Sequence, residues 1–263
     1  LVRHARRFGE VLGVHTHVAI LPDTGCAGEG QYSPFLASVS RMDALALDPQ
    51  VIRWSMDGVS ADEDSALAAL AERPLLILMH GLGSHEGDLI GLVPLLPQGF
   101  VCASLRAPFA VEAPMTGGYT WFPMSLQSAD AAPDAVAENA AWQAAQAVLG
   151  WLDNVEARVP GERVTSAVMG FSQGGVMATS LMRARPQQFA AAVNCSGFVA
   201  PGVFPGDAEL TELRPPVFWG RDVADPVIGA EAIARTAEWL PAHSQLVSRE
   251  YPGVGHSVSR DEL

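Results

Sequence analysis

A serine flanked by glycines at fixed spacing is the first feature of the sequence that could do chemistry. Gly170-Phe171-Ser172-Gln173-Gly174 fits the pattern G-x-S-x-G. In this pattern a tight turn joins a strand to a helix, and the glycines remove side chains that would clash there. An apolar run, 164–169, leads into the motif and a helical pattern, 176–182, leads out of it. The spacing therefore predicts a turn that projects the Ser172 hydroxyl, which could act as a nucleophile.

A serine hydroxyl is a poor nucleophile without a base, and His256 is the candidate base. It follows the last strand-like run, 246–251, within Pro-Gly-Val-Gly-His-Ser. Of the seven histidines in the chain, it alone follows a strand end beyond Ser172. A turn after a strand would leave an imidazole free to reach the serine, so His256 is predicted to take its proton.

The base in turn needs a carboxylate to orient it, and two aspartates are candidates. Asp222 and Asp225 both follow the apolar run 216–219. Asp225 is favoured because Pro226 and a helical pattern behind it would fix its loop. Asp222 lies closer to the strand, where it could merely cap the turn. The chain order serine, acid, histidine then predicts a triad of Ser172, Asp225 and His256.

Two backbone N–H groups should face the negative charge that develops on a carbonyl oxygen under attack. The residue after the nucleophile, Gln173, is expected to supply one of them. The other is expected from Leu82, because His80-Gly81-Leu82-Gly83 directly follows an apolar strand-like run, 75–79. The competing interpretation of this tetrapeptide is an ordinary strand-to-helix turn.

The elements that must position these residues form an alternating pattern. From about residue 51 onward, apolar runs alternate with helical periodicity, which is typical of a mostly parallel sheet covered by helices on both faces. The strands are predicted at 74–79, 100–105, 164–169, 190–195, 217–219 and 246–251. The helices are predicted from near Pro133 to an end at Pro160-Gly161, at 172–184 and at 228–240.

Composition limits the class of protein. Of 263 residues, 49% are hydrophobic, and the formal net charge of −13 argues against nucleic acid or an anionic membrane as partner. No apolar run is long enough to span a membrane, and the basic start lacks the features of a secretory signal, so a cytoplasmic location is expected.

All 16 basic residues are arginine, which excludes lysine-based nucleophiles. His15 and His17 lack an evident third ligand, so no metal site is predicted.

Together the motifs resemble the phospholipase/carboxylesterase family, which includes bacterial carboxylesterases and the acyl-protein thioesterases. The resemblance covers roughly residues 51–260 and implies the α/β-hydrolase fold, the same triad and the same two oxyanion donors. It also implies that Trp121 and Phe122 form a wall of the active site. Substrates with short to medium acyl chains are expected, and no cofactor is expected. The resemblance depends on L-M-H-G-L-G-S at 78–84, G-G-Y-T-W-F at 117–122, G-F-S-Q-G-G at 170–175, A-D-P-V at 224–227 and G-H at 255–256.

An apolar, short acyl pocket is predicted around the nucleophile. Met124 continues the Trp-Phe segment, and Val227 and Val254 flank the acid and the base. The expected substrate is a small-molecule carboxylic ester. Thioesters and lysophospholipids remain alternatives because the same triad cleaves both. The alternative from another class is a module that keeps the hydrolase fold and binds a ligand without turnover.

Two departures from the family pattern concern the chain ends. Residues 1–41 precede the expected start of a catalytic domain at 42–263, and only seven residues follow His256 where the family pattern continues into a helix. One expectation is that residues 1–41 cover the face of that helix, on their own domain or on a second copy as a homodimer. The other is that they are a flexible passenger.

Overall fold

The computed structural model describes residues 45–111, 117–123, 136, 139–161 and 164–263. These residues form one eight-stranded sheet with helices packed on it. The prediction of an α/β-hydrolase fold with a mostly parallel sheet is confirmed. The predicted extension, 1–41, and the pocket residue Met124 lie outside the described ranges.

The sheet runs in the order β10-β9-β8-β7-β3-β4-β1-β2, and a two-stranded β5-β6 ribbon stands apart from it. The six strands from β10 to β4 are parallel, whereas β1 pairs antiparallel with both β4 and β2. The strands are β1 Arg53–Met56, β2 Val59–Ala61, β3 Leu75–Met79, β4 Val101–Leu105, β5 Phe109–Ala110, β6 Tyr119–Thr120, β7 Ser166–Phe171, β8 Phe189–Cys195, β9 Pro216–Arg221 and β10 Gln245–Glu250.

Five α-helices lie among the described residues, and the three longest match the predicted helical patterns. Short 3₁₀ segments cover Pro49–Val51, Leu89–Leu95 and Arg260–Glu262. The α-helices are α1 Glu63–Ala69, α2 Ala140–Arg158, α3 Gln173–Ala184, α4 Asp207–Leu213 and α5 Ala230–His243.

The core is divided by the sheet, and the alternation of side chains along β3 shows how. Leu75, Ile77 and Met79 belong to the larger apolar cluster, which includes buried residues of α2, α3 and α5. Leu76 and Leu78 point the other way, into a smaller cluster that includes Leu89 and Val93 of a 3₁₀ segment. Burial on both faces explains why this strand is a continuous apolar run rather than an alternating one.

The antiparallel hairpin at one edge of the sheet was missed in the sequence. β1 and β2 are joined by Asp57 and Gly58, which have φ values of 51° and 80°. This pair of left-handed residues is the turn that two-residue hairpins favour, and Asp-Gly is its usual sequence. The signal was therefore present, but the strands of four and three residues are too short to show periodicity.

The parallel arrangement brings four loops to the same side of the sheet, beyond the carboxyl ends of its strands. β3, β7, β9 and β10 all end on that side, because parallel strands run in the same direction. Ligands of open α/β sheets bind beyond the carboxyl ends of the strands. The residues singled out for chemistry follow these four strands: His80 to Gly83, Ser172, Asp225 and His256.

Candidate active site

Ser172 occupies the turn between β7 and α3 in a conformation that few residues other than glycine adopt. Its φ and ψ are 53° and −116°. The neighbouring glycines explain how the chain fits: a Cβ on Gly170 would lie 1.9 Å from the Gly174 carbonyl oxygen, and a Cβ on Gly174 would lie 1.8 Å from the Met79 carbonyl oxygen. Only glycine at both positions lets the helix and the sheet approach each other this closely. The tight turn that results strains the Ser172 backbone and projects its hydroxyl away from the sheet end.

A continuous chain of hydrogen bonds joins three side chains at the end of the sheet. The distance from His256 Nε2 to Ser172 Oγ is 2.8 Å, and that from His256 Nδ1 to Asp225 Oδ2 is also 2.8 Å. The side chain of Asp225 is 1% exposed and that of His256 is 15% exposed. The imidazole thus lies between a hydroxyl that it can deprotonate and a buried carboxylate that selects its tautomer.

The structure separates the two aspartates by their partners. The second oxygen of Asp225, Oδ1, accepts hydrogen bonds from the N–H groups of Val227 and Ile228, at 2.8 and 3.1 Å. Asp222 Oδ1 accepts from its own loop, from Ala224 N at 2.9 Å, while its Oδ2 accepts from Gly255 N at 2.6 Å. Asp225, and not Asp222, therefore contacts the imidazole.

The loop after β3 reaches the nucleophile from the other side. A Cβ on Gly81 would lie 3.1 Å from Phe171 Cδ1 and 3.4 Å from Ser172 Cβ, so this loop passes close to the turn at Ser172. Within the described residues, the N–H groups of Leu82 and Gln173 have no hydrogen-bond acceptor. Gln173 also begins α3, whose N-terminal end favours negative charge. Both N–H groups are thus unpaired within the described residues, and their role as oxyanion donors stays a prediction.

The imidazole of His80 holds this loop in place. It is fully buried, its Nδ1 lies 2.8 Å from the Gly81 carbonyl oxygen, and its Nε2 lies 3.1 Å from Ala107 N. Because a backbone N–H must donate to Nε2, the proton is on Nδ1 and the ring is neutral. Burial lowers the pKa of His80, in agreement with this neutral form. His80 thereby ties the loop after β3 to the residues that follow β4.

The side chain of Gln173 anchors the aromatic segment 119–122. Its Oε1 accepts from Trp121 N at 3.0 Å, and its Nε2 donates to the Phe122 carbonyl oxygen at 2.9 Å. The segment is also paired with the loop after β3, since Gly83 N donates to the Tyr119 carbonyl oxygen at 2.9 Å. The fully buried amide of Gln173 thus joins the nucleophile turn to the residues predicted as a pocket wall.

The predicted pocket residues differ in exposure. Trp121 is fully buried, and its indole N–H donates to the His80 carbonyl oxygen at 2.9 Å, so it backs the site rather than faces solvent. Phe122 is nearly buried, Val254 is half-buried and Val227 is 40% exposed. Their contact with a substrate stays a prediction.

Sequence reasoning missed the side-chain roles of three residues at the site. His80, Gln173 and Asp222 are all buried polar residues that hydrogen-bond to backbone groups of other loops. The one available signal was a polar residue within or next to an apolar strand end. That signal indicates burial with a partner, but it does not identify the partner.

The fold and the Ser-His-Asp hydrogen-bond chain together define the class as an α/β-hydrolase. The Phospholipase/Carboxylesterase family matches residues 66–263, and the chain belongs to this family. The prediction of a carboxylic ester hydrolase is confirmed at the level of the family.

Two curated relatives are named for two kinds of ester hydrolysis, one as a carboxylesterase and one as a thioesterase. A protein described as a probable carboxylesterase of Oryza sativa subsp. japonica is 26% identical over 209 residues, which is 75% of this chain and 77% of the relative. Acyl-protein thioesterase 1 of Debaryomyces hansenii is 25% identical over 213 residues, 75% of this chain and 90% of the relative.

Solved structures support the fold. The Bacillus cereus carboxylesterase has a TM-score of 0.60 at 19% identity and matches 79% of this chain and 87% of its own. A phospholipase/carboxylesterase of Dyadobacter fermentans has a TM-score of 0.56 at 21% identity, over 80% of this chain and 91% of its own.

Within the described ranges, no helix is long and apolar enough to cross a membrane.

Proposed function

We propose that the protein is a serine carboxylesterase that acts through an acyl-enzyme, with Ser172 as nucleophile, His256 as general base and acid, and Asp225 as the orienting carboxylate. The observation that carries the proposal is the pair of 2.8 Å hydrogen bonds that place the imidazole between the hydroxyl and the carboxylate. A serine held in a strained turn at the start of a helix supports it further.

In the first half of the reaction, Ser172 Oγ attacks the ester carbonyl carbon while its proton passes to His256 Nε2. Asp225 accepts the hydrogen bond from Nδ1–H and stabilises the imidazolium. The tetrahedral intermediate then collapses: the bond to the leaving oxygen breaks, and the imidazolium returns its proton to that oxygen. An alcohol departs, and the acyl group stays on the serine.

The oxyanion of the intermediate would be bound by the N–H groups of Leu82 and Gln173. Both are free of acceptors among the described residues, and Leu82 follows Gly81, where an added Cβ would lie 3.4 Å from Ser172 Cβ. The N-terminus of α3 adds favourable electrostatics. Losing one such donor costs on the order of 10²–10³ in turnover.

Water completes the cycle by the same geometry. His256 takes a proton from water, the hydroxide attacks the acyl carbon, and collapse returns the proton to Ser172 Oγ as the carboxylic acid leaves. The proposed steps use no metal ion or organic cofactor. A cytoplasmic location and a possible homodimer formed through residues 1–41 remain predictions.

Acyl thioesters are the second candidate substrates. The Debaryomyces relative, named a thioesterase, matches three quarters of this chain. The same attack and collapse cleave a thioester, with a thiol in place of the alcohol. The alternative of a binding module without turnover is disfavoured by the intact hydrogen-bond chain at Ser172.

The function is tested by removing the nucleophile. Ser172→Ala should lower the turnover of p-nitrophenyl butyrate by about 10⁴–10⁶, because members of a triad act as a unit. It should also abolish labelling by a fluorophosphonate probe. Ser180→Ala is the matched control, since Ser180 is buried on the same helix and its hydroxyl has no partner in the described part of the chain. A Ser172→Ala protein that kept a tenth of the wild-type rate would refute the proposal.

The acyl pocket is tested by a series of p-nitrophenyl esters from C4 to C16, beside an acyl-CoA and a lysophospholipid. Activity should peak below about eight acyl carbons, because Trp121 and Phe122 are held in place by a buried amide and no long lid is evident in the sequence. A preference for C16 over C4 would contradict this. A higher kcat/KM on acyl-CoA than on any ester would assign the enzyme to thioesters.

A further inference from the structure

The loops that carry the acid and the base come from neighbouring strands and separate beyond them. β9 and β10 are parallel and pair as far as Arg221 and Glu250, and the last backbone bond runs from Tyr251 N to the Arg221 carbonyl oxygen at 2.9 Å. Past this point the sheet no longer connects the acid loop, 222–228, to the histidine loop, 252–258.

Asp222 connects the two loops, because each of its carboxylate oxygens accepts a hydrogen bond from one of them. It is 3% exposed, and it accepts one hydrogen bond from Ala224 N in the acid loop and one from Gly255 N in the histidine loop, at 2.9 and 2.6 Å. The N–H donors of Ala224 and Gly255 lower the pKa of the Asp222 carboxyl. At neutral pH it is therefore ionised and can only accept, which suits two facing donors.

Among the described residues, the other backbone bond just before Gly255, from Val254 N to the Tyr251 carbonyl oxygen, is long at 3.3 Å. Pro252 and Gly253 are exposed, and Gly253 and Gly255 have φ values of 86° and 65°, so this stretch depends on backbone freedom rather than on packing. On the far side of the histidine, Ser196 Oγ donates to the Ser257 carbonyl oxygen over 3.4 Å, a long and hence weaker bond. The hydrogen bond that Gly255 N donates to Asp222 restrains the residue immediately before His256.

We propose that Asp222 is a positioning residue, which joins the acid loop to the histidine loop and thereby holds the His256 imidazole at hydrogen-bonding distance from both Ser172 and Asp225. The inference rests on the proposed function, since it assumes that His256 is the base. It gives Asp222 a role in turnover although its carboxylate does not contact His256.

Asparagine at this position tests the idea with little change in shape. Its amide offers one oxygen acceptor, and its NH₂ group would face a backbone N–H that also donates, so one of the two bonds is lost. A misplacement of about 1 Å in a catalytic group can cost on the order of 10²-fold in rate. Asp222→Asn should therefore lower kcat by about 10- to 100-fold and leave KM within about twofold, because no substrate contact is removed.

Turnover should be measured per competent serine, by active-site titration with a fluorophosphonate beside p-nitrophenyl butyrate kinetics. A purely structural role would reduce the number of titratable sites, or the melting temperature, and leave kcat per site unchanged. Asp62→Asn is the matched control, because Asp62 caps α1 next to β2, at the opposite edge of the sheet from β9. It should keep wild-type kcat per site.

The outcomes separate this inference from the proposed function. An inactive Ser172→Ala with a wild-type kcat per site for Asp222→Asn would overturn the role of Asp222 alone. A nearly active Asp225→Asn beside an inactive Asp222→Asn would show that Asp222 is the triad acid itself, and would overturn it as well. An active Ser172→Ala would remove the proposed function.

Discussion

At the scale of single residues, Asp222 and Asp225 show how the same side chain obtains different chemistry from its neighbours. Both are ordinary aspartates on one loop, three positions apart in the sequence. Asp225 is held by two N–H groups on one oxygen, which leaves the other to the imidazole. Asp222 accepts a backbone N–H on each oxygen, from Ala224 and from Gly255, and its carboxylate is not hydrogen-bonded to His256. The distribution of donors, rather than the acid itself, decides which aspartate can orient the base.

Backbone strain at the site is likewise a property of particular residues. Only four non-glycine residues of the described chain have positive φ, and two of them, Ser172 and Ser196, directly follow the neighbouring strands β7 and β8. Such conformations cost about 1–3 kcal/mol each and persist where surrounding contacts enforce them. Here Ser172 N donates to the Cys195 carbonyl oxygen at 2.8 Å, so the two strained turns hold each other in register.

At the scale of elements, the site depends on bonds between segments that the sheet does not connect. Helix α3 is held to the segment 119–122 by the amide of Gln173 and to the 197–207 loop by Arg183. The Arg183 guanidinium is buried and pairs with Asp207 at 2.7 Å, and it also donates to the carbonyl oxygens of Ala200 and Gly202. These hydrogen bonds fix one end of α3 to the segment 119–122 and its other end in the core.

The tie through Gln173 gives a prediction at this scale. Gln173→Ala should lower the melting temperature and kcat/KM, because the buried Trp121 N–H would lose its acceptor, at about 1–3 kcal/mol for an unsatisfied group. The Phe122 carbonyl oxygen would lose its bond from Gln173 and keep the one from Thr120 Oγ1. In Gln173→Glu an introduced carboxylate would oppose that carbonyl oxygen, so its deficit should grow from pH 5 to pH 8 as the carboxyl ionises. Melting curves at both pH values measure this.

Gln98→Ala is the control for the loss of a glutamine amide. Gln98 is exposed and makes one hydrogen bond, from its Nε2 to the Leu96 carbonyl oxygen at 3.2 Å. It should melt like the wild type at both pH values. If Gln173→Ala did the same and kept its kcat/KM, the amide would have no part in holding the wall.

At the scale of the whole molecule, His80 and Glu86 are two of the buried groups that link stability to pH. Burial lowers the pKa of His80 below its usual 6.5, so the unfolded chain binds more protons than the folded chain as pH falls below that value. The hydrogen bonds from Arg106, at 2.5 and 2.7 Å, lower the pKa of Glu86 from 4.5 to about 2. The stability due to Glu86 is therefore present above about pH 4.5 and is lost as pH falls toward 2.

The free energy of unfolding should consequently be near its plateau above pH 6.5, decline below that pH through His80, and decline more steeply below pH 4.5 through Glu86. Urea unfolding between pH 4 and 8 measures this, with about 0.15 M salt to screen the net charge of −13. His80→Gln should be less stable at pH 8 and should lose the upper part of the pH dependence. An unchanged slope between pH 6.5 and 5 in that variant would exclude His80 as its source.

Local information in the sequence was sufficient for most of the framework. The unbroken apolar run 75–79 predicts a strand buried on both faces, and the glycines around Ser172, between a strand pattern and a helix pattern, predict a close strand-to-helix turn. Such features are encoded by contiguous residues, because backbone preferences and hydrophobic periodicity act over a few positions. The order of serine, acid and histidine followed from the same elements. The hairpin of β1 and β2 was missed because its strands are too short for periodicity.

The partners of the polar side chains were decided only by the tertiary structure. Asp222 meets Gly255 across 33 positions of sequence, and Gln173 meets Trp121 across 52. A hydrogen bond depends on distances of a few tenths of an ångström, and these are set only when the strands are aligned and the helices packed. The position of Asp222, Gln173 and His80 next to apolar strand ends indicated only that they would be buried with partners. Which loops they would join depended on the alignment of strands that lie far apart in the chain.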